Sequence, residues 1–167
     1  DDLRVTDNHL RHQRHIDRYR QARLYAQGRV LDFGSGSGYG SAVLLISPSV
    51  EHVTGVESNP DTLRYAVRNY SSDCSTFVER VPAQQYDTLV CIEVLEHLPD
   101  LRDFQEAVAS TAPTVIILTF PSVTTTHLNP HHVRDLSLAD VQTLLPDYQL
   151  EVDTHVNDGE CAFLVFR

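Results

Sequence analysis

The stretch RVLDFGSGSGYGS, residues 29–41, decides the fold. It opens as a short β-rich apolar run that ends in an acid, Asp32, and an aromatic, Phe33. Gly34, Gly36, Gly38 and Gly40 then crowd into seven positions. A strand that runs into a glycine-dense turn and a helical stretch marks where a doubly wound α/β sheet lets a ligand approach the backbone. A G-x-G-x-x-G pattern begun at Gly34 would place its third glycine at position 39, where the chain has Tyr39. That glycine permits close helix–strand packing in dinucleotide-binding folds, so the tyrosine argues against a nicotinamide dinucleotide.

Outward from this turn, β-rich runs alternate with helical stretches. Strands are expected over 29–33, 52–57, 75–79, 88–94, 114–120, 148–156 and 161–166. Helices are expected over 7–26, 39–46, 59–69, 100–110 and 137–145. Between the last two strands, Asn157-Asp158-Gly159 is a tight-turn signal, which makes the last strand antiparallel. The expected fold is α/β: a Rossmann-like, doubly wound, seven-stranded sheet, mostly parallel with an antiparallel last strand, with helices on both faces. Residues 1–167 read as one domain, and 1–28 as a helical cap over the cofactor site.

The chain has 167 residues and a net charge of -10, which disfavours non-specific binding to nucleic acid or anionic membrane. The amino-terminal segment is the exception. Arg4, Arg11, Arg14, Arg18, Arg20, Arg23 and Arg29 stand there and read as a solvated helix face, with cover for an anionic ligand as the alternative. His9, His12 and His15, three apart on the same helix, read as a cofactor lid or substrate rim. No lysine occurs, which excludes Schiff-base chemistry and a Walker-type phosphate loop. Cys74, Cys91 and Cys161 have no paired spacing and read as buried free thiols. No apolar run is long enough to span a membrane and no signal peptide is evident, so the expected location is cytoplasmic. With no methionine anywhere, the chain reads as lacking its native start.

An acid two residues before the first glycine makes little sense beside a pyrophosphate. It suits a ligand with an ammonium group, held directly or through water. Glu57, at the end of the second strand, can accept from both hydroxyls of a ribose. A carboxylate at each end and no phosphate clamp describe S-adenosylmethionine (SAM), a zwitterion joined to a nucleoside.

On these residues the sequence resembles the class I SAM-dependent methyltransferases. VLDFGSGSG (30–38), VTGVESNP (53–60) and YDTLVCIEVLEHLPD (86–100) resemble three of their motifs. His15, Arg18, Tyr19 and Ala22 ahead of the GSGYGS loop resemble a subgroup with H-x-x-R-Y-x-x-A, and NPHHVRD (129–135) resembles its later NP-x-HVR segment. The resemblance implies cofactor contacts from Arg18, Tyr19, Asp32, Gly34, Ser35, Gly36, Gly38, Tyr39, Glu57, Ser58 and Glu93. It usually supplies an aspartate for the adenine amine; here FVERVPAQQ (77–85) offers Glu79. The usual Pro-Gly-Gly turn before the fifth strand is replaced by ASTAPT (109–114).

Glu93, Glu96 and His97 fall at the carboxyl end of the fourth strand, where open α/β sheets place ligands. In one reading an acid lines the cofactor pocket and His97 fixes the loop, with no metal. In the other, Glu93, Glu96, His97 and His132 hold Mg²⁺ or Mn²⁺, a pattern similar to that of small-RNA 2′-O-methyltransferases; His127 and His131 are further candidate ligands. His132 and His131 are candidate general bases, with Glu93 the third catalytic candidate. The expected reaction is methyl transfer to an oxygen or nitrogen of a small-molecule, glycan or lipid-type acceptor. An RNA 2′-O-methyltransferase and a non-catalytic SAM-fold scaffold are the alternatives.

Overall fold

The computed structural model describes residues 2–167, with side chains from His12 onward. The elements are α1 (Asp2–Ala22), β1 (Gly28–Phe33), α2 (Tyr39–Leu44), β2 (Val50–Val56), α3 (Pro60–Tyr70), β3 (Ser75–Val78), β4 (Thr88–Ile92), α4 (Arg102–Thr111), β5 (Val115–Pro121), α5 (Leu138–Leu144), β6 (Leu150–Val156) and β7 (Cys161–Phe166), with a 3-10 turn at Leu95–His97. His9, expected on a lid or rim, and Arg4 and Arg11, expected on the basic helix face, lie outside the residues whose side chains are described.

The sheet order is β3-β2-β1-β4-β5-β7-β6. The first five strands pair in parallel; β7 runs antiparallel to both β5 and β6. β4, β5 and β7 are apolar runs buried nearly throughout because both faces of the sheet are covered. Alternate side chains supply the two cores. Leu31, Leu89, Ile116, Leu118 and Leu164 pack with Phe104 of α4 and Val141 of α5. Val30, Val53, Val90, Ile117 and Phe163 pack with Tyr19 and Ala22 of α1 and Leu44 of α2.

Local chemistry sets the boundaries. Asn59 caps α3 by accepting from the Asp61 and Thr62 amides, with Pro60 in the first turn. Ser137 and Asp140 form a reciprocal capping box on α5. Asn157, Asp158 and Gly159 all take positive φ (54°, 58° and 89°), as the tight turn between β6 and β7 requires.

Three expectations are corrected. The fourth strand stops at Ile92, not at residue 94, because Glu93 adopts a left-handed φ of 54° and turns the chain out of the sheet. The helix expected over 39–46 ends at Leu44. Cys74 is exposed, whereas Cys91 and Cys161 are buried as expected.

Candidate active site

At β1 and β4 the strand order reverses direction, and the carboxyl ends of these strands splay a crevice open. A cavity of about 990 Å³ lies there. Gly34, Glu57, Ser58, Glu79 and Glu93 line it, as the sequence expects of cofactor-contacting residues. Gly34 has φ 80°, and a Cβ on it would come within 2.4 Å of Val94. Glycine is therefore required by both conformation and space. Glu57 accepts the Asn59 amide on Oε1 (2.6 Å), which fixes its carboxylate at the cavity wall. Sequence reasoning missed Asp103, Glu106 and Ser110 of α4, which form the opposite wall. Their spacing of three and four residues puts them on one helix face, which is the signal that could have found them.

Asp32, Ser35, Gly36, Gly38, Tyr39, Tyr19 and Arg18 do not line this cavity. Asp32 is fully buried, and each of its oxygens accepts one hydrogen bond: Tyr19 donates its hydroxyl to Oδ1 (3.0 Å) and Ser41 to Oδ2 (2.6 Å). Burial raises its pKa to about 6, against the pull of those two bonds. Through these two bonds Asp32 ties α1 and α2 to β1. The Tyr19 ring that reaches it also accounts for the fourth glycine, since a Cβ on Gly40 would meet that ring at 2.2 Å. Tyr39 packs in turn against Tyr19 and His12, with ring centroids 6.0 and 5.0 Å away. Gly36 has φ 54°, and a Cβ there would find nothing within 4 Å, while a Cβ on Gly38 would press on Phe77 at 3.0 Å.

No described side chain of the amino-terminal helix lines the large cavity; Arg14, His15 and Arg18 of that helix wall a second one. This smaller cavity, about 240 Å³, is lined by Arg14, His15 and Arg18 of α1 together with Glu93, Glu96, His97, Asn129 and His132. Glu93 and His97 border both cavities. Glu93 is held by three partners. Arg18 pairs with Oε2 (3.3 Å), and Thr119 and Cys161 each donate to Oε1 (3.0 Å). Glu96 is buried with both oxygens lacking a hydrogen-bond partner. Burial, and then the charge of Glu93, push its pKa to about 8.

The segment 129–135 is docked beside these groups residue by residue. The Asn129 side chain accepts the His131 amide, the Val133 amide donates to the Glu96 carbonyl, and Arg134 donates to the carbonyls of Leu98 and Pro99. Asp135 accepts from the Thr125 and Thr126 amides. His132 enters the second cavity, its Nδ1 2.6 Å from Thr125 Oγ1. Burial lowers its pKa, and the neighbouring His97 adds to that. His131 does not enter: its side chain is exposed, and its carbonyl oxygen contacts His97 Nδ1 at 3.0 Å. His127 is exposed and lines neither cavity. Thr125, which braces His132, carried no signal in the sequence.

The family model for the methyltransferase domain matches residues 8–157, and the chain belongs to that family. No curated protein matches the sequence. Solved structures with the same fold include the Haloferax volcanii protein in complex with the Trm112 methyltransferase activator (TM-score 0.74, 15% identity, 99% of this chain and 93% of that one). The N-methyltransferase NodS from Bradyrhizobium japonicum WM9, in complex with S-adenosyl-L-homocysteine (SAH), is similar at TM-score 0.69 and 19% identity, over 93% of this chain and 86% of that one. The DhpI–SAH complex is similar at TM-score 0.68 and 18% identity, over 98% and 86%. The fold is thus that of the class I SAM-dependent methyltransferases. Among the described residues no helix is long and apolar enough to cross a membrane.

Proposed function

We propose that the protein transfers the methyl group of SAM to an oxygen or nitrogen of a small polar or glycan-type acceptor. The observation that carries this reading is the pair of cavities meeting at Glu93 and His97. The larger one suits a nucleoside with an amino-acid tail. Gly34 gives it close backbone approach, Glu57 offers an acceptor for ribose hydroxyls, and Glu79, Asp103 and Glu106 offer acceptors for an adenine amine. When bound, SAM supplies an electrophilic methyl group on a sulfonium leaving group.

The chain's own part is to hold the acceptor in line and to let its proton leave. The second cavity fits that part. It is polar, and Glu96, His97 and His132 are within reach of an acceptor there. Its two arginines are already paired, Arg14 with Glu160 and Arg18 with Glu93. They therefore add little free positive charge for a nucleic-acid backbone, which favours the small acceptor over RNA.

Calorimetry with SAM and SAH tests the cofactor half, and a labelled-SAM screen across polyols, glycans, amines and short RNAs tests the acceptor. NAD binding without SAM binding would sink the proposal. Glu57→Ala is expected to weaken SAH binding by about 1.5–3 kcal/mol, the scale of hydrogen bonds to a charged group. An unchanged affinity would remove Glu57 from the ribose site.

A further inference from the structure

Glu96 is a difficulty for the fold as it stands. A carboxyl group 1% exposed, with neither oxygen hydrogen-bonded, is costly to bury. Two imidazoles stand beside it. One ligand atom each from Glu96, His97 and His132 lie within 4.8 Å of one another. The two rings meet edge to face, centroids 4.6 Å apart. Each ring is fixed through Nδ1, His97 by the His131 carbonyl and His132 by Thr125 Oγ1, which leaves the other nitrogen of each for a ligand. Such bracing through the distal nitrogen is how proteins orient imidazoles toward a cation.

We propose that Glu96, His97 and His132 bind one divalent transition-metal ion in the wall of the second cavity. Two imidazoles and one carboxylate suit a borderline cation such as Co²⁺, Mn²⁺ or Zn²⁺ better than Mg²⁺, which prefers an all-oxygen shell. Glu93 is outside the ligand set: among the described residues only Glu96, His97 and His132 bring ligand atoms within 4.8 Å of one another, while Glu93 pairs with Arg18 and accepts from Thr119 and Cys161. Three protein ligands leave positions open toward the cavity, where an oxygen-bearing acceptor can complete the shell. The acceptor would then be a hydroxyl compound that loses its proton to solvent at the ion, takes the methyl on the same oxygen and releases SAH as the leaving group, with His132 a ligand and not the proton-accepting base. This last step rests on the second cavity being the acceptor site; the ion site itself does not.

The test uses the untagged, chelator-treated full chain. Co²⁺ is titrated by absorption spectroscopy and calorimetry, with Mg²⁺ as competitor. The expected result is one Co²⁺ per chain that Mg²⁺ does not displace. Binding should be lost in Glu96→Gln and in His132→Asn, both checked for native circular dichroism, and kept in Glu93→Gln. Thr125→Val, which removes the brace on His132 and a long hydroxyl contact to Asp135 but keeps the Thr125 amide on Asp135, should weaken it about 10–100-fold. No saturable binding, or binding unchanged in both Glu96→Gln and His132→Asn, would overturn the site. SAH titrated into the same samples separates the two readings. SAH binding without Co²⁺ binding removes the ion site alone, whereas Co²⁺ binding without SAH binding removes the proposed function and leaves the ion site.

Discussion

Gly34→Ala is expected to lower stability by about 2–5 kcal/mol, combining left-handed backbone strain with overpacking. The overlap falls on Val94, which lies 2.4 Å from the added carbon and lines the large cavity itself. Val94 must shift, and the cavity wall shifts with it, so SAH binding should be lost at the same time. Gly36→Ala is the informative companion. It has a similar backbone, φ 54°, but its added carbon meets nothing. Its cost should be only the conformational part, about 1–2 kcal/mol. Urea denaturation of both variants measures the contrast, and equal losses would show that Val94 yields freely.

Asp32→Asn is expected to change how stability depends on pH. The Asp32 pKa rises from 3.8 to about 6 on folding. The folded state thus binds the proton more tightly than the unfolded chain does. The contribution of Asp32 to stability is best below the unfolded value and declines as pH rises through the folded one. A shift of this size amounts to about 3 kcal/mol, so the variant should gain roughly that much on wild type between about pH 4 and pH 7. Other titrating groups are common to both proteins and cancel in the difference. Urea titrations at the two ends of that range test this, and a pH-independent difference would show that burial does not raise the Asp32 pKa. SAH affinity should change little, because Asp32 lines neither cavity. A loss beyond about tenfold, the scale of a charged hydrogen bond, would restore direct contact with the ligand.

The order of elements was legible because its signals are local. Continuous apolar runs became the buried strands β4, β5 and β7, and Asn59-Pro60 and Ser137 began the helices they promised. The large cavity was legible in part, through Gly34 and Glu57 at strand ends. What could not be read depends on partners far along the chain. Asp32 reads as a ligand group, and its links to Tyr19 and Ser41 carried no signal in the sequence. Arg18 reads as a cofactor contact, and its pairing with Glu93, just past the carboxyl end of β4, could not be read from the sequence. His131 and His132 are neighbours of the same type, and only the docking of 129–135 onto the 3-10 turn decides which ring turns inward.

The sheet order leaves two strands, β3 and β6, each with one unpaired side. A bare strand edge is a template on which another chain can add. β3 is only four residues long, too short to recruit much. β6 carries Glu151, Asp153 and His155 as its exposed positions, and Arg167 pairs with Glu151 beside it. A copy approaching in parallel register would bring Asp153 against Asp153 and one Glu151–Arg167 pair against another. The fold thereby guards its own margins against fibrous growth, and neutralising Glu151 and Asp153 together would leave β6 as the edge open to self-association.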